Sequence, residues 1–371
     1  MNNNSAQRRW ERYREEEMLR AERLVAGIGY SLDERQPHIA GERYLMMQER
    51  DVGASGFKLV LLGTRDEDGL RVIVKSSSTA GGKKEIERER SARKTLLHLD
   101  FSYRTFLAPK ELLHTKMEGC VISITEFIEQ EKEFIERPLE EQFALALLAL
   151  KTQEGVHATT YAQAKTIQKI YGIFGAKEYL AQFHSFREAI QRNLPDESEL
   201  DELLKQSEAR LCGAHMDIEQ YGDFLTHADF VPHNLRIKGD DIYLLDYASI
   251  HFGNKYENWA RFMNFMMLYH PELEKNLVQY IAENRTKEEV RALQCMRLYK
   301  LAFLLHFYAG NLAQTSGALK EMTRARITFW KEALRAVLRN ERLSPEVIST
   351  YTKTRDDLRS EEEKLRQKGL H

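Results

Sequence analysis

The chain changes texture once, near Pro138, and that change limits the folds open to it more than any other feature. Upstream, from about Arg43, short strand-like runs alternate with glycines and a charged turn. They are Tyr44-Leu45-Met46-Met47, Lys58 to Gly63, Leu70 to Lys75, Pro109 to His114 and Cys120 to Glu129. The turn Arg65 to Gly69 predicts an antiparallel hairpin between the second and third of these. Downstream, apolar residues recur at helical spacing over Leu139–Thr152, Ala162–Tyr171, Lys177–Gln191, Glu197–Cys212 and Asn258–Leu338. Gly155, Gly172, Gly175 and Pro195 punctuate them. One short strand pair, around Leu235–Ile237 and Ile242–Leu245, interrupts the helices. Strands first and helices afterwards predict an α+β chain of two lobes, the first built on a small antiparallel sheet and the second mostly helical. With 371 residues, 42% of them hydrophobic, there is material for both cores.

The expected boundaries are a helical N-terminal extension over 1–40, the sheet lobe over 41–128, the helical lobe over 129–343 and a charged C-terminal helix over 344–371. The extension, from Ala6 to about Ala26, mixes Arg and Glu at helical spacing with Trp10, Tyr13, Leu19 and Leu24. That pattern fits a charged helix packed on the body, or an arm that binds a partner. The C-terminal helix, highly charged from Arg355 to Lys364, is expected to be a solvated end.

Charge and cysteine usage narrow the setting. Against 57 acidic residues stand 55 basic ones, and the net charge of -2 gives no electrostatic reason to expect a nucleic acid or a membrane surface as partner. Cys120, Cys212 and Cys295 are widely spaced and odd in number, which fits a reducing, cytoplasmic setting better than a disulfide framework. The N-terminus is polar and then charged, without the apolar stretch of a secretion signal.

The chemistry concentrates in one stretch. His227-Ala228-Asp229-Phe230-Val231-Pro232-His233-Asn234 is followed by the short strand pair and a second acid in Leu245-Asp246-Tyr247. An aspartate on a loop, an asparagine five positions on and a second aspartate after two short strands is the arrangement that phosphoryl transfer from ATP requires. One carboxylate orients the attacking hydroxyl, while the amide and the other carboxylate offer hard oxygen donors to Mg2+.

His227-x-Asp229 through Asn234, then Asp246, resembles the aminoglycoside phosphotransferase and choline kinase family of small-molecule kinases, whose fold is protein-kinase-like. The resemblance extends from about Arg43 to Phe265, with its specific part between Leu225 and Asp246. It implies Asp229 as the catalytic residue and Asn234 and Asp246 as metal ligands. For the nucleotide it implies the turn containing Gly53, Ser55 and Gly56, the strand lysine Lys75 and its helix partner Glu89, with Glu85 in reserve. The connector between the lobes, at Glu126 and Ile128, reads the adenine edge through its backbone. His227 is expected to brace the loop by hydrogen bonds, and His157 to be a structural histidine.

Two departures stand out. The family's Gly-Asp-x-x-x-Asp-Leu-Ala reads Gly253-Asn254-Lys255-Tyr256-Glu257-Asn258-Trp259-Ala260 here, so an amide replaces the acid that helps brace the catalytic loop. His233 precedes the asparagine where a small residue is common. The resemblance implies an ATP- (or GTP-) and Mg2+-dependent kinase acting on a hydroxyl of a small molecule: an aminoglycoside, a choline-like amine, a sugar or similar. Asp217, Glu219, Asp223 and Glu257 would suit a cationic acceptor. Two other readings remain open from the residues alone: a kinase-shaped nucleotide-binding protein with weak or no turnover, and a hydrolase with a metal held by His227, Asp229, His233 and Asp246.

Overall fold

The run Val72-Ile73-Val74 and its neighbours form the centre of the first lobe, because β-branched residues with alternating burial fit a sheet covered on one face. In the computed structural model the residues described are 3–36, 58–98, 106–155, 169, 171–239, 241–361 and 363–364, for 3–7 and 9 the backbone only. The turn with Gly53, Ser55 and Gly56, the strand predicted at Tyr44–Met47, most of the helix predicted over Ala162–Tyr171, and His157 lie outside them.

Among the described residues the lobe is a five-stranded antiparallel sheet in the order β1-β2-β3-β5-β4: β1 Tyr30–Leu32, β2 Leu59–Arg65, β3 Arg71–Ser77, β4 Glu111–Met117 and β5 Cys120–Glu126. The β2–β3 hairpin turns at Gly69 (φ 72°), and β4 and β5 are joined through Glu118 and Gly119, both at positive φ (45° and 77°). Two such residues in succession make the turn whose twist matches paired strands. Helix α1, Asn3–Ala26, lies across one face, where Trp10, Ala21, Leu24 and Val25 bury Leu59, Leu61, Val72, Val74, Ile122 and Ile124. Among the described residues the N-terminal helix therefore supplies four of the twelve buried side chains of this core. It is also tied in chemically, since the buried Glu17 accepts hydrogen bonds from the Ser78 hydroxyl and its N–H (3.2 Å). Ser78 is the point where β3 leads into α2, Ala80–His98.

The second lobe runs α3 Leu139–Glu154, α4 Ala176–Asn193, α5 Ser198–Gly213, α6 His215–Gln220, β6 Phe224–His227, β7 Leu235–Lys238, β8 Asp241–Leu244, β9 Ile250–Gly253, α7 Tyr256–Tyr269, α8 Pro271–Asn284, α9 Lys287–Leu312, α10 Gly317–Arg339 and α11 Pro345–Leu358. β6 pairs with β9 and β7 with β8, both antiparallel. Helix α7 is buried on nearly every side, with Tyr256, Trp259, Phe262 and Met263 inaccessible, as a helix apolar all round must be. The C-terminal helix differs from its expectation. Tyr351 of α11 is buried against Phe329 of α10 (centroids 4.7 Å), which pins that helix to the body. No helix of the described residues is long and apolar enough to cross a membrane.

Candidate active site

Pairing of β6 with β9 sets His227 opposite Ile250 and delivers the chain into the loop Ala228 to Asn234. Phe230 and Val231 are fully buried, with Phe230 against Phe106 and Phe262 (5.8 and 6.4 Å), so they anchor the loop while Asp229 between them and β6 stays accessible. A 3₁₀ turn over Pro232–Asn234 follows, its proline in the first position, where no N–H is needed.

Asp229 is held on both oxygens. Oδ1 accepts from Arg261 Nε (2.8 Å) and lies 2.7 Å from Arg261 Nη2. Oδ2 accepts from the Asn234 side-chain amide (3.2 Å) and faces His233 Nε2 at 3.6 Å. The same amide also donates to the Asp229 carbonyl (2.7 Å), so both its hydrogens are directed at Asp229 and its oxygen is an available donor atom. Desolvation alone would raise the Asp229 pKa, but the Arg261 guanidinium and His233 outweigh it and hold the carboxyl well below the usual range. The group is an anion at neutral pH, suited to orienting a hydroxyl.

Asp246 follows β8 in a left-handed conformation (φ 55°, ψ 55°), which outside glycine is most accessible to Asn and Asp. Its Oδ2 accepts from Ser249 Oγ (3.0 Å), while Oδ1 is buried without a hydrogen-bond partner among the described residues. A buried carboxylate oxygen left in that state fits a cation site better than a structural one.

His227 joins the two loops. Its Nδ1 accepts from the Asp229 N–H (3.2 Å), which makes Nε2 the protonated nitrogen, donating to the carbonyls of Leu245 (3.1 Å) and Asp246 (3.0 Å). Burial lowers its pKa, so the bridge is a neutral imidazole. Its own N–H donates to Asn258 Oδ1 (2.9 Å). The bond that the missing acid at position 258 put in doubt is therefore made by the amide oxygen, because an acceptor and not a charge is what a backbone N–H needs. A second brace comes from α9, where the Lys300 ammonium donates to the Ala228 carbonyl (3.1 Å) and pairs with Glu257, both side chains almost fully buried. Glu257 also accepts from Tyr179 Oη (2.5 Å) and contacts His251 Nε2 (2.8 Å).

In the sheet lobe, Lys75 pairs with Glu89 of α2. A second lysine enters the same cluster: Lys58 Nζ is 2.8 Å from Glu85, 3.4 Å from Glu89 and 3.8 Å from Asp246 Oδ1. Burial pushes the Glu89 pKa up, but the two lysines overcome that and bring it down to about 2. Glu126 closes β5, its carboxylate accepting from the Lys110 N–H (2.8 Å), and Ile128 beyond it is buried where the chain crosses between the lobes.

These contacts bring Lys75, Glu89, Asp229, Asn234 and Asp246 into one continuous site. They do not assemble the alternative metal set, because both nitrogens of His227 are engaged by backbone groups. Among the described residues no group of three or more His, Cys, Asp or Glu could hold an ion. Nor do three of the four acids considered for a cationic acceptor stand ready for one. Glu257 lies under the loop paired with Lys300, Asp217 is paired with Arg291 (2.7 Å), and Glu219 accepts from the Ala176 N–H (2.7 Å). Lys58, Arg261 and Lys300 are the site residues the sequence reading missed. Strand alternation could have revealed the first. The three-residue spacing from Asn258, one helical turn, could have revealed the second.

No family model matches the chain, and no characterised protein matches it by sequence. Solved structures do match. A thermostable mutant of aminoglycoside phosphotransferase APH(4)-Ia is 14% identical over 81% of this chain and 99% of its own, with a TM-score of 0.55. The macrolide 2'-phosphotransferase MphH from Brachybacterium faecium is 16% identical over 83% and 97%, with a TM-score of 0.54. ADP-bound APH(2'')-Ib is 13% identical over 77% and 92%, with a TM-score of 0.52. The chain thus shares the bilobal, protein-kinase-like fold of these phosphotransferases.

Proposed function

We propose that the protein is an ATP- (or GTP-) dependent phosphotransferase that phosphorylates a hydroxyl of a small molecule. The observation that carries this reading is an unbroken chain of contacts: Lys75 to Glu89, Glu89 to Lys58, Lys58 to Asp246, Asp246 to His227, and His227 to the Asp229 loop with Asn234. Each of these residues, cast in a phosphoryl-transfer role, is linked to the next. The shared fold supports it, and structures of that fold include ADP and AMP-PNP complexes.

In this reading Lys75, aimed by Glu89, neutralises nucleotide phosphates, and the backbone from Glu126 to Ile128 borders the adenine. The Asn234 side-chain oxygen and Asp246 Oδ1 would hold Mg2+, which would supply charge neutralisation on the nucleotide phosphates. Asp229 accepts a hydrogen bond from the acceptor hydroxyl, orients its oxygen toward the γ phosphorus and takes the proton as the new P–O bond forms and the bond from the γ phosphorus to the departing nucleoside diphosphate breaks. A carboxyl held this acidic is a weak base, which suits a loose transition state in which the proton leaves late. His227, Asn258 and Lys300 keep the loop in place without touching substrate. Bracing of that quality favours an active enzyme over a kinase-shaped binding protein.

The test is twofold. Stabilisation by ATP with Mg2+, against zinc alone, is the expected thermal-shift result, and a response to zinc only would sink the reading. Asp229→Ala is expected to retain Mg-nucleotide binding and to lose ADP release by 10²-fold or more across a panel of hydroxyl compounds, a loss of the size positioned acid–base groups supply. Parent-like turnover by that variant would remove Asp229 from its role.

A further inference from the structure

We propose that Lys58 is a second phosphate-binding lysine of the nucleotide site, an inference that rests on the phosphotransferase reading and assigns a role to a residue outside its motifs. Register puts it on the right face. Val60 of β2 is directly opposite Lys75 of β3, so their side chains leave the sheet on the same side, and Lys58, two residues before Val60, shares that side. The two ammonium groups then converge on one carboxylate, Lys75 on Glu89 Oε1 and Lys58 on Glu89 Oε2 (3.4 Å). Two cations presented side by side to the oxygens of one anion are arranged as a polyphosphate would need them.

The surroundings of Lys58 strengthen the case. Its side chain is only 12% exposed and meets carboxylates from both lobes, Glu85 and Glu89 of α2 and Asp246 of the second lobe. The Lys58 ammonium stands 3.8 Å from Asp246 Oδ1, so a divalent cation held at Asp246 would repel it and would favour its turning to the phosphates. Lys58 is the group that can change partner, because Lys75 is committed to Glu89 while Lys58 is shared among three anions.

A role as a salt-bridge residue only, holding β2 to α2, would affect every ligand of the cleft alike. Binding of AMP-PNP with Mg2+ by titration calorimetry, and of adenosine by saturation-transfer NMR, separates the two. Lys58→Met is expected to weaken Mg-AMP-PNP binding about ten- to hundredfold, the range for losing a hydrogen bond to a charged group. Adenosine binding stays unchanged, and Lys58→Arg recovers most of the nucleotide affinity. Equal losses for both ligands, or Mg-AMP-PNP affinity that matches the parent, would overturn the assignment while leaving the phosphotransferase reading intact. A parent protein that shows no saturable Mg-AMP-PNP binding would remove that reading, and this inference with it.

Discussion

Replacing Lys300 by methionine removes a cation from a place where two charges are almost fully buried: the side chains of Lys300 and Glu257 are 4% and 2% exposed. Removing one partner of such a pair leaves the other charge uncompensated, at about 3–5 kcal/mol. Glu257 keeps Tyr179 Oη at 2.5 Å and His251 Nε2 at 2.8 Å, so the low end, about 3 kcal/mol, is expected. In a chain of this size that lowers the melting temperature by roughly 4 °C. Urea unfolding measures it directly. The double variant Lys300→Met with Glu257→Gln buries no unpaired charge and is expected to be more stable than Lys300→Met alone, a non-additivity expected of residues in contact. The pair also shapes acid stability. Burial opposes ionisation of Glu257, but His251 and Lys300 hold its carboxyl below the usual value. Its stabilisation is fully present above the unfolded carboxyl pKa of about 4.3 and disappears only as pH falls through the lower folded value. Without Lys300 that loss moves to higher pH. Kinetically, the Ala228 carbonyl loses its 3.1 Å donor beside Asp229, so kcat is expected to fall. A single variant within about 1 kcal/mol of the parent, or a double variant whose loss is the sum of the two singles, would refute the buried-pair argument.

Two other perturbations probe the site from different sides. Arg261→Gln removes the main cation beside Asp229; its carboxyl rises toward the ordinary range, and the acid limb of the kcat/KM profile moves to higher pH, whereas an unmoved limb would mean that another group governs it. Glu17→Ala cuts the tie between α1 and Ser78 and is expected to cost about 1 kcal/mol in urea unfolding and to raise KM for the nucleotide more than it lowers kcat, since what it loosens is the entry to the Glu89 helix; a change confined to kcat would contradict that.

Local spacing explains what the sequence revealed. Lys75 ends an apolar strand run, Glu89 lies on the next helix, and Asp229, Asn234 and Asp246 fall within one short stretch, so each could be read without knowing what packs where. The residues that escaped reading depend on tertiary placement. Alternation along the strand gives the face of Lys58, but its partners follow from the pairing of β2 with β3, and Lys300 comes from a helix some seventy positions beyond the loop it holds. β1 was invisible because three residues carry no periodicity, and its place is fixed by pairing with β2. The acids near the loop misled for the same reason: composition showed negative charge there, and only the packing showed Glu257 and Asp217 already paired.

Asn258 illustrates how an amide can make a backbone bond that an acid would otherwise make. An acid at this position has two uses, accepting the backbone bond and supplying charge beneath the loop. Asn258 keeps the first through Oδ1, and the charge stands one residue earlier at Glu257. Successive helical positions are about 100° apart, so a carboxylate at 257 cannot face the loop as one at 258 does. It is directed at α9 instead, and Lys300 carries the interaction back to the loop by donating to the Ala228 carbonyl. Loop bracing here therefore depends on a buried pair from two helices, where a single acid would depend on its own helix alone. That is why a change at Lys300, far from the motif in sequence, is expected to be felt at Asp229.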